Sequence, residues 1–208
     1  RYMCLRDRFF LHGGIEKVMA TKANYLAGLP NFKVYILTTE QKGNSACYPL
    51  DERIQKIDLS INYNRKRSYF SVANLSKIFK HFLAQRKILK AIAPDIIISP
   101  NYNFDHYWLP FLKSKKTSLI KEIHASGYLN PHQRETANFI NKLKWKLNDY
   151  ILGKFSAVVV LNEDEKKYQL NRNTIVIPNP TLKQEEQAAL RNKKVMTAGR
   201  IAPVKGFN

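Results

Sequence analysis

The most specific chemistry in the sequence lies near its end, where Arg200 and Lys205 flank a turn that contains Pro203. The preceding run, residues 195–199 (VMTAG), is predicted to be a strand, so both cations follow a strand end. An arginine guanidinium makes planar bidentate contacts, and a lysine ammonium supplies a point charge. The pair is therefore suited to hold a diphosphate from two directions.

Two earlier positions have the residue types of a ligand-binding loop. Gly13 and Gly14 precede a predicted helix, whose first N–H groups and positive dipole end favour phosphate. His124 follows a predicted strand and precedes small residues, so its ring can bond a sugar hydroxyl or a phosphate oxygen. Simpler explanations stay open: the glycines lack the full G-x-G-x-x-G spacing and fit a tight turn, and the histidine fits a loop or a helix cap.

The other candidates for chemistry are weaker. No metal site is predicted, because the remaining histidines have no metal-ligand spacing with carboxylate or cysteine support: His12, His81, His106 and His132. The sequence has no G-x-S-x-G elbow for a nucleophilic serine. The acids at 163–165 are interpreted as a helix N-terminus stabilised by the macrodipole.

Alternating strands and helices must position these residues. Apolar runs predict strands within residues 34–39, 54–59, 95–99, 118–123, 157–161 and 174–177. Helical spacing predicts helices from Gly14 to near Pro30, over residues 74–92, and from about Gln133 to Leu152, after an irregular opening. This alternation predicts an α/β fold with a doubly wound parallel sheet, in which ligands bind beyond the carboxyl ends of the strands.

The predicted helix over residues 74–92 lies in a strongly basic stretch, since no acidic residue occurs between Leu59 and Pro94. Its apolar residues fall on one predicted face, which should pack on the core: Leu75, Ile78, Phe79, Phe82, Leu89 and Ile92. Lys77, Lys80 and Lys87 fall opposite, while Arg86 interrupts the apolar stripe. Three interpretations remain open, namely a solvated basic face, contact with an anionic membrane, and nucleic-acid binding.

Composition limits the class of protein. The 208 residues carry a net charge of +19 and are 44% hydrophobic, which is enough to form a globular core. Cys4 and Cys47 are too few for a disulfide scaffold, and no apolar run reaches the ~18 residues of a membrane span. We expect a cytoplasmic location, peripheral on the inner face of the plasma membrane if the basic helix binds lipid. Because the chain starts at Arg1 and stops after a motif, it is expected to be a fragment.

The motifs occur in the order found in family 4 glycosyltransferases, which the sequence resembles over nearly its whole length. The matching segments are GGIEKV at 13–18, the His124 loop, VIPNP at 176–180 and GRIAPVKG at 199–206. The resemblance implies a GT-B fold, in which two Rossmann-like domains face each other across a cleft. It divides the chain into an acceptor-side domain (1–180), a linker (181–194) and the truncated start of a donor-binding domain (195–208).

The resemblance also implies an activity. Members are retaining transferases that move a sugar from a nucleotide-sugar, here a UDP- or GDP-sugar, to a glycan or lipid-linked acceptor, without a metal or other cofactor. A role in lipopolysaccharide or capsule synthesis is the implied context. Arg200 and Lys205 match the family's diphosphate-stabilising cations, His124 its catalytic histidine near the donor sugar, and Gly13 and Gly14 its glycine-rich loop near the phosphates.

Other matches and departures concern the acceptor side and the chain ends. Glu16 matches an often acidic position beside the glycine loop, and Asn101 and Tyr102 lie in a loop expected to contact the acceptor. The family's first strand is missing or reduced to residues 2–5, and its paired glutamates would lie beyond Asn208. The fragment alone is therefore expected to lack a complete donor site and to be inactive.

The alternative from another class is a basic nucleic-acid-binding module without catalysis, which the charge of +19 favours. Against it, the aromatic residues are not interleaved with the cations as stacking platforms are, and no nucleic-acid-binding signature occurs. No nucleic-acid partner is therefore expected.

Overall fold

The computed structural model of the protein describes residues 1–67, 71–100 and 103–181. Within these ranges, the strands form one parallel sheet in the order β3-β2-β1-β4-β5-β6-β7. The strands are β1 Tyr2–Arg6, β2 Val34–Thr38, β3 Gln55–Asp58, β4 Ile96–Ser99, β5 Ser118–Glu122, β6 Ala157–Val160 and β7 Thr174–Val176. The α/β doubly wound sheet predicted from the sequence is confirmed.

Helices cover both faces of this sheet. They are α1 Gly14–Gly28, α2 Val72–Ile92, α3 Asp105–Leu112, α4 Asn130–Glu135, α5 Phe139–Leu152 and α6 Glu163–Lys167. On one face, α1 packs Met19, Ala20 and Ala23 against the sheet. On the other face, α2, α3 and α5 contribute Leu89, Leu109 and Ile151 to a second core. None of the helices in the described ranges is long and apolar enough to cross a membrane.

The opening of the chain is the strand β1, Tyr2–Arg6. This corrects the expectation of an irregular opening or a missing first strand, and agrees with a strand at residues 2–5. β1 pairs with β2 and β4 at the centre of the sheet. Tyr2 and Cys4 face the α1 core, and Met3 and Leu5 face the opposite core. A strand buried on both faces has no polar alternation, and this one is short, so its five residues gave only a weak signal.

The helix predicted from Gln133 to Leu152 is two helices, because the chain breaks at Asn138. This residue has an extended backbone, and its side-chain oxygen accepts a hydrogen bond of 2.9 Å from the Asn141 N–H, which caps α5. The predicted helix start at 163–165 is confirmed, since Asn162 caps α6 and the three acids form its first turn.

The prediction for the buried face of α2 is wrong in part. Leu75 and Phe79 are exposed at 55% and 66%, and Val72 and Leu83 are exposed with them. Arg86 also lies on the exposed side, so it does not interrupt the packed surface.

The packed face of α2 is largely polar, with Asn74, His81 and Gln85 buried beside Leu89. Each polar side chain has a partner elsewhere: Asn74 bonds the Asn64 backbone at 2.8 and 3.1 Å, the His81 Nδ1 lies 3.0 Å from the Tyr63 hydroxyl, and Gln85 accepts from the Trp108 indole at 2.5 Å. These hydrogen bonds reduce the desolvation cost of burying the polar groups, although the buried Nε2 atom of His81 has no hydrogen-bond partner among the described residues.

Candidate functional site

The strand order reverses between β1 and β4, because the chain leaves β1 toward β2 and leaves β4 toward β5. In open parallel sheets, a crevice forms at this switch point beyond the carboxyl ends of the strands. The loops there follow β1, β2, β4 and β5, and the first and last of them carry the predicted Gly13, Gly14 and His124.

Gly13 and Glu16 fit together closely at the start of α1. A Cβ on Gly13 would lie 2.3 Å from the Glu16 Oε2 atom. The buried Glu16 carboxylate is held by Arg6 of β1, whose Nε and Nη2 donate to Oε1 at 2.8 and 2.6 Å. Glu16 therefore holds the helix start against the end of β1, and only glycine fits at position 13 without displacing that carboxylate.

Gly14 has open space around it, since a Cβ there would meet nothing within 4 Å. The helix has no side-chain cap at its N-terminus, where Gly13 is the capping residue. Uncapped N–H groups and the positive end of a 15-residue helix suit an anionic ligand such as a phosphate.

His124 belongs to a buried charged group that the sequence analysis missed. Its Nε2 atom lies 3.2 Å from Glu122 Oε2, and the Lys22 ammonium donates to Glu122 Oε1 at 2.7 Å. Burial favours a higher pKa for Glu122, but the hydrogen bond from His124 and the charge of Lys22 outweigh it, so the pKa of Glu122 is lowered. An ionised Glu122 only accepts, so Nε2 carries a hydrogen, and in the neutral ring Nδ1 is the acceptor.

Helix α1 connects the two predicted loops. Its first turn carries Gly14 and Glu16, and Lys22, further along the same helix, binds Glu122 beside His124. The strand period offered one signal for Glu122, because residues two apart lie on the same side of a strand, so Glu122 and His124 share a face. No local pattern identified Lys22, which is 100 residues away in sequence.

A second charged network ties the loops after β1 and β2 together. The Arg65 guanidinium donates to Asp7 at 3.0 Å and to the fully buried Glu40 at 3.0 Å, and the Glu40 N–H donates to the Asp7 carbonyl at 2.9 Å. The Asn103 amide also donates to the Asp7 carboxylate. Part of the predicted acceptor-side loop, Asn103, is therefore anchored to the loop after β1.

Asp105 and Lys121 are buried on the sheet face that carries α2, α3 and α5. Burial and the charge of Asp7 raise the pKa of Asp105, and burial lowers the pKa of Lys121. The Lys121 ammonium also lies 5.9 Å from the centre of the Phe155 ring. Each group is thus shifted toward its neutral form, which reduces the cost of burying charge.

Four predicted site residues lie outside the described residues: Asn101, Tyr102, Arg200 and Lys205. The predicted second domain and the linker after Thr181 lie outside them as well. Across residues 1–67, 71–100 and 103–181, no group of three or more histidine, cysteine or acidic side chains is placed to hold a metal ion.

Solved structures with the same fold include two kinds of sugar enzyme. WaaG, a glycosyltransferase involved in lipopolysaccharide biosynthesis, matches over 86% of this chain and 45% of its own, with 9% identity and a TM-score of 0.54. Sucrose-phosphate synthase from Thermosynechococcus elongatus matches over 85% of this chain and 47% of its own, with 14% identity and a TM-score of 0.59. A second structure of that synthase matches over 87% of this chain and 90% of its own, with 12% identity and a TM-score of 0.54.

No family model and no curated protein matches the sequence. The chain spans less than half the length of the first two structures. At 9–14% identity, the likeness shows the fold alone. The described residues have the Rossmann-like fold found in these GT-B proteins, as the sequence predicted.

Proposed function

We propose that the chain is the acceptor-side part of a retaining, family 4-like glycosyltransferase that uses a UDP- or GDP-sugar without a metal. The observation that carries this proposal is the connection through α1 of an open, uncapped helix N-terminus at Gly14 with the oriented His124. The fold likeness to WaaG, whose printed role is in lipopolysaccharide biosynthesis, supports a glycan or lipid-linked acceptor in cell-envelope synthesis.

Each group has a role in this proposal. The N–H groups of α1 near Gly14 bind the diphosphate, and His124 places Nδ1 to accept a hydrogen bond from a donor-sugar hydroxyl while Glu122 holds the ring. Arg200 and Lys205 then stabilise the charge that develops on the departing diphosphate. One such preorganised donor contributes about 3 kcal/mol to transition-state stabilisation in well-studied enzymes.

The test is turnover of UDP- and GDP-sugars by a protein that carries this chain together with a donor-binding domain. Arg200→Ala and Lys205→Ala are each expected to reduce nucleotide release by about tenfold or more. Lys115→Ala removes an exposed cation from the loop before β5 and serves as the charge-matched control. Wild-type turnover in both site variants, or sugar transfer by the 208-residue chain alone, would contradict the proposal.

We further propose that the exposed face of α2 contacts an anionic membrane, which would bring a lipid-linked acceptor to the site. Val72, Leu75 and Phe79 are exposed on a helix that also exposes Lys80 and Lys87. Apolar side chains flanked by lysines, with no acidic residue from Leu59 to Pro94, complement anionic headgroups.

Sedimentation with vesicles of phosphatidylglycerol and phosphatidylcholine at ~150 mM salt tests this contact. Leu75→Ser with Phe79→Ser should abolish most of the binding. Tyr25→Ser, which removes a 70% exposed aromatic from α1, should not. Tighter binding to a random DNA duplex, with a steep salt dependence, would favour the nucleic-acid alternative instead.

A further inference from the structure

A cavity of about 750 Å³ lies beside the His124 loop, between that loop and helices α4 and α5. Ile123 and Leu152 line its apolar part, and Ser126 and Gly127 belong to its loop wall. This volume is in the range of small-molecule sites in proteins, and none of the roles proposed above uses it.

Side-chain amides dominate the polar part of the lining: Asn130, Gln133, Asn138, Asn141, Asn148 and Gln169. An amide has a carbonyl acceptor and two N–H donors. The oxygens of Asn138, Asn141 and Asn148 are already bonded within the protein, so these three offer their N–H donors. A hydroxyl group likewise both donates and accepts, so amides pair well with a ligand rich in hydroxyl groups.

The cavity lining contains few charged side chains, namely Arg134 and Lys144 among the described residues. Arg134 makes a bidentate ion pair with Asp149 at 2.6 and 2.8 Å, so its charge is largely compensated. Lys144 is the other cation among the described lining residues, and those residues include no carboxylate. A site for a strongly charged ligand would present uncompensated charges of one sign, so this lining favours a neutral ligand.

Trp145 adds an aromatic surface to the amides. Its half-buried indole lines the cavity. The Arg134 guanidinium lies over one ring face, 4.3 Å from the ring centre, so a sugar would pack on the remaining exposed part of the ring. One side of a pyranose ring presents mainly C–H groups, which pack on an aromatic ring while the hydroxyls bond to polar neighbours.

The loop wall is held in place before any ligand binds. Glu165 of α6 accepts hydrogen bonds from the Ser126 hydroxyl at 2.8 Å and from the Gly127 N–H at 2.6 Å. A Cβ on Gly127 would lie 2.9 Å from Tyr168 Cβ, so the loop packs closely against the segment after α6. A wall fixed in this way reduces the entropy lost on binding.

We infer that this cavity binds a neutral sugar residue of the acceptor glycan. The inference rests on the proposed glycosyltransferase function for the identity of the glycan as acceptor. Ile123 and residues 125–127 line the cavity, so a saccharide bound there contacts the loop that contains His124, although His124 itself does not line the cavity.

Saturation-transfer NMR with the 208-residue chain tests the inference, with maltose and N,N′-diacetylchitobiose as neutral probes and a hexuronate disaccharide as the anionic probe. At least one neutral disaccharide is expected to bind with a dissociation constant of about 10 mM or tighter. Trp145→Ala and Ala125→Trp should each weaken binding by about tenfold, the first by removing the aromatic surface and the second by filling the mouth from an exposed position.

Trp145→Phe should retain most of the binding, and Gln55→Ala, an exposed amide removed on β3, should retain all of it. No binding of either neutral probe, unchanged binding in both weakening variants, or preference for the hexuronate would overturn the inference. Disaccharide binding is measured without nucleotide. If a protein that transfers no sugar still binds the disaccharide, the inference about the cavity holds and the proposed function fails.

Discussion

Helices α1 and α2 pack on opposite faces of one sheet, and they bury opposite kinds of side chain. α1 buries mainly small and apolar residues such as Met19 and Ala23, and its ion pairs reach β1 and β5. α2 buries Asn74, His81 and Gln85 and exposes Leu75 and Phe79. The contrast teaches that the apolar residues of a helix need not all lie on the face that packs on the core.

Truncation of a core side chain on α1 should have the largest effect on stability. Met19 is 1% exposed, so Met19→Ala is expected to lower the free energy of unfolding by about 2–5 kcal/mol through lost contacts and a cavity. Phe79→Ala on α2 removes a side chain that is 66% exposed, and should change stability by less than about 0.5 kcal/mol. Urea unfolding of both variants measures the difference, and equal losses would contradict the assignment of the two faces.

Acid should lower the stability of the folded protein by protonating His81 on the packed face of α2. Burial lowers the pKa of His81 from 6.5 to about 4, against a weaker opposing effect of the Asp7 charge. Between those two pH values the unfolded chain binds the proton and the folded chain does not, so stability is complete above about pH 6.5 and is lost as the pH falls toward 4. The full contribution is about 3 kcal/mol.

The variant His81→Asn should flatten this part of the pH dependence in urea unfolding between pH 7 and pH 4. Some slope should remain, because burial also lowers the pKa of His106 to about 3. His132→Asn changes an exposed histidine on α4 and should keep the wild-type profile. A wild-type slope in His81→Asn would show that His81 does not carry the effect.

The adjacent glycines of α1 should give the smallest of the three effects and the sharpest local contrast. Gly13→Ala places a methyl group against the Glu16 carboxylate that Arg6 holds, and is expected to cost about 1–3 kcal/mol of stability. Gly14→Ala enters open space at the first helical position, and should be neutral or stabilising by less than about 1 kcal/mol. Thermal unfolding measured on both variants checks the ranking, and a stable Gly13→Ala protein would refute the close fit.

Local pattern predicted most of the fold. Apolar runs such as residues 34–38 and 157–160 gave β2 and β6, and the alternation with helices gave the parallel sheet. β1 was expected only as a missing strand or one reduced to residues 2–5, because five residues at the start of the chain cannot show a period. The buried face of α2 was assigned wrongly in part, because the side chains that bond its polar residues lie in other segments, as Tyr63 does for His81 and Trp108 for Gln85.

The residues of the candidate site also divide into those that the sequence predicted and those that it did not. Gly13, Gly14 and His124 were found because each adjoins a strand or helix end, which a sequence pattern marks. Glu122 and Lys22 were not found, since their pairing depends on how α1 lies across the sheet. Long-range ion pairs leave no periodic trace, so they were predictable only after the fold was known.

The distance in sequence between Lys22 and Glu122 also bears on how the protein is made. The two residues are 100 positions apart, and ribosomes add about 5–20 residues per second, so Lys22 is synthesised about 5–20 s before its partner. β1 likewise lacks a neighbour on its second edge until β4 has been synthesised. A nascent chain would therefore hold α1 without the Lys22–Glu122 ion pair during this interval, and the environment of His124 would be completed only late in translation.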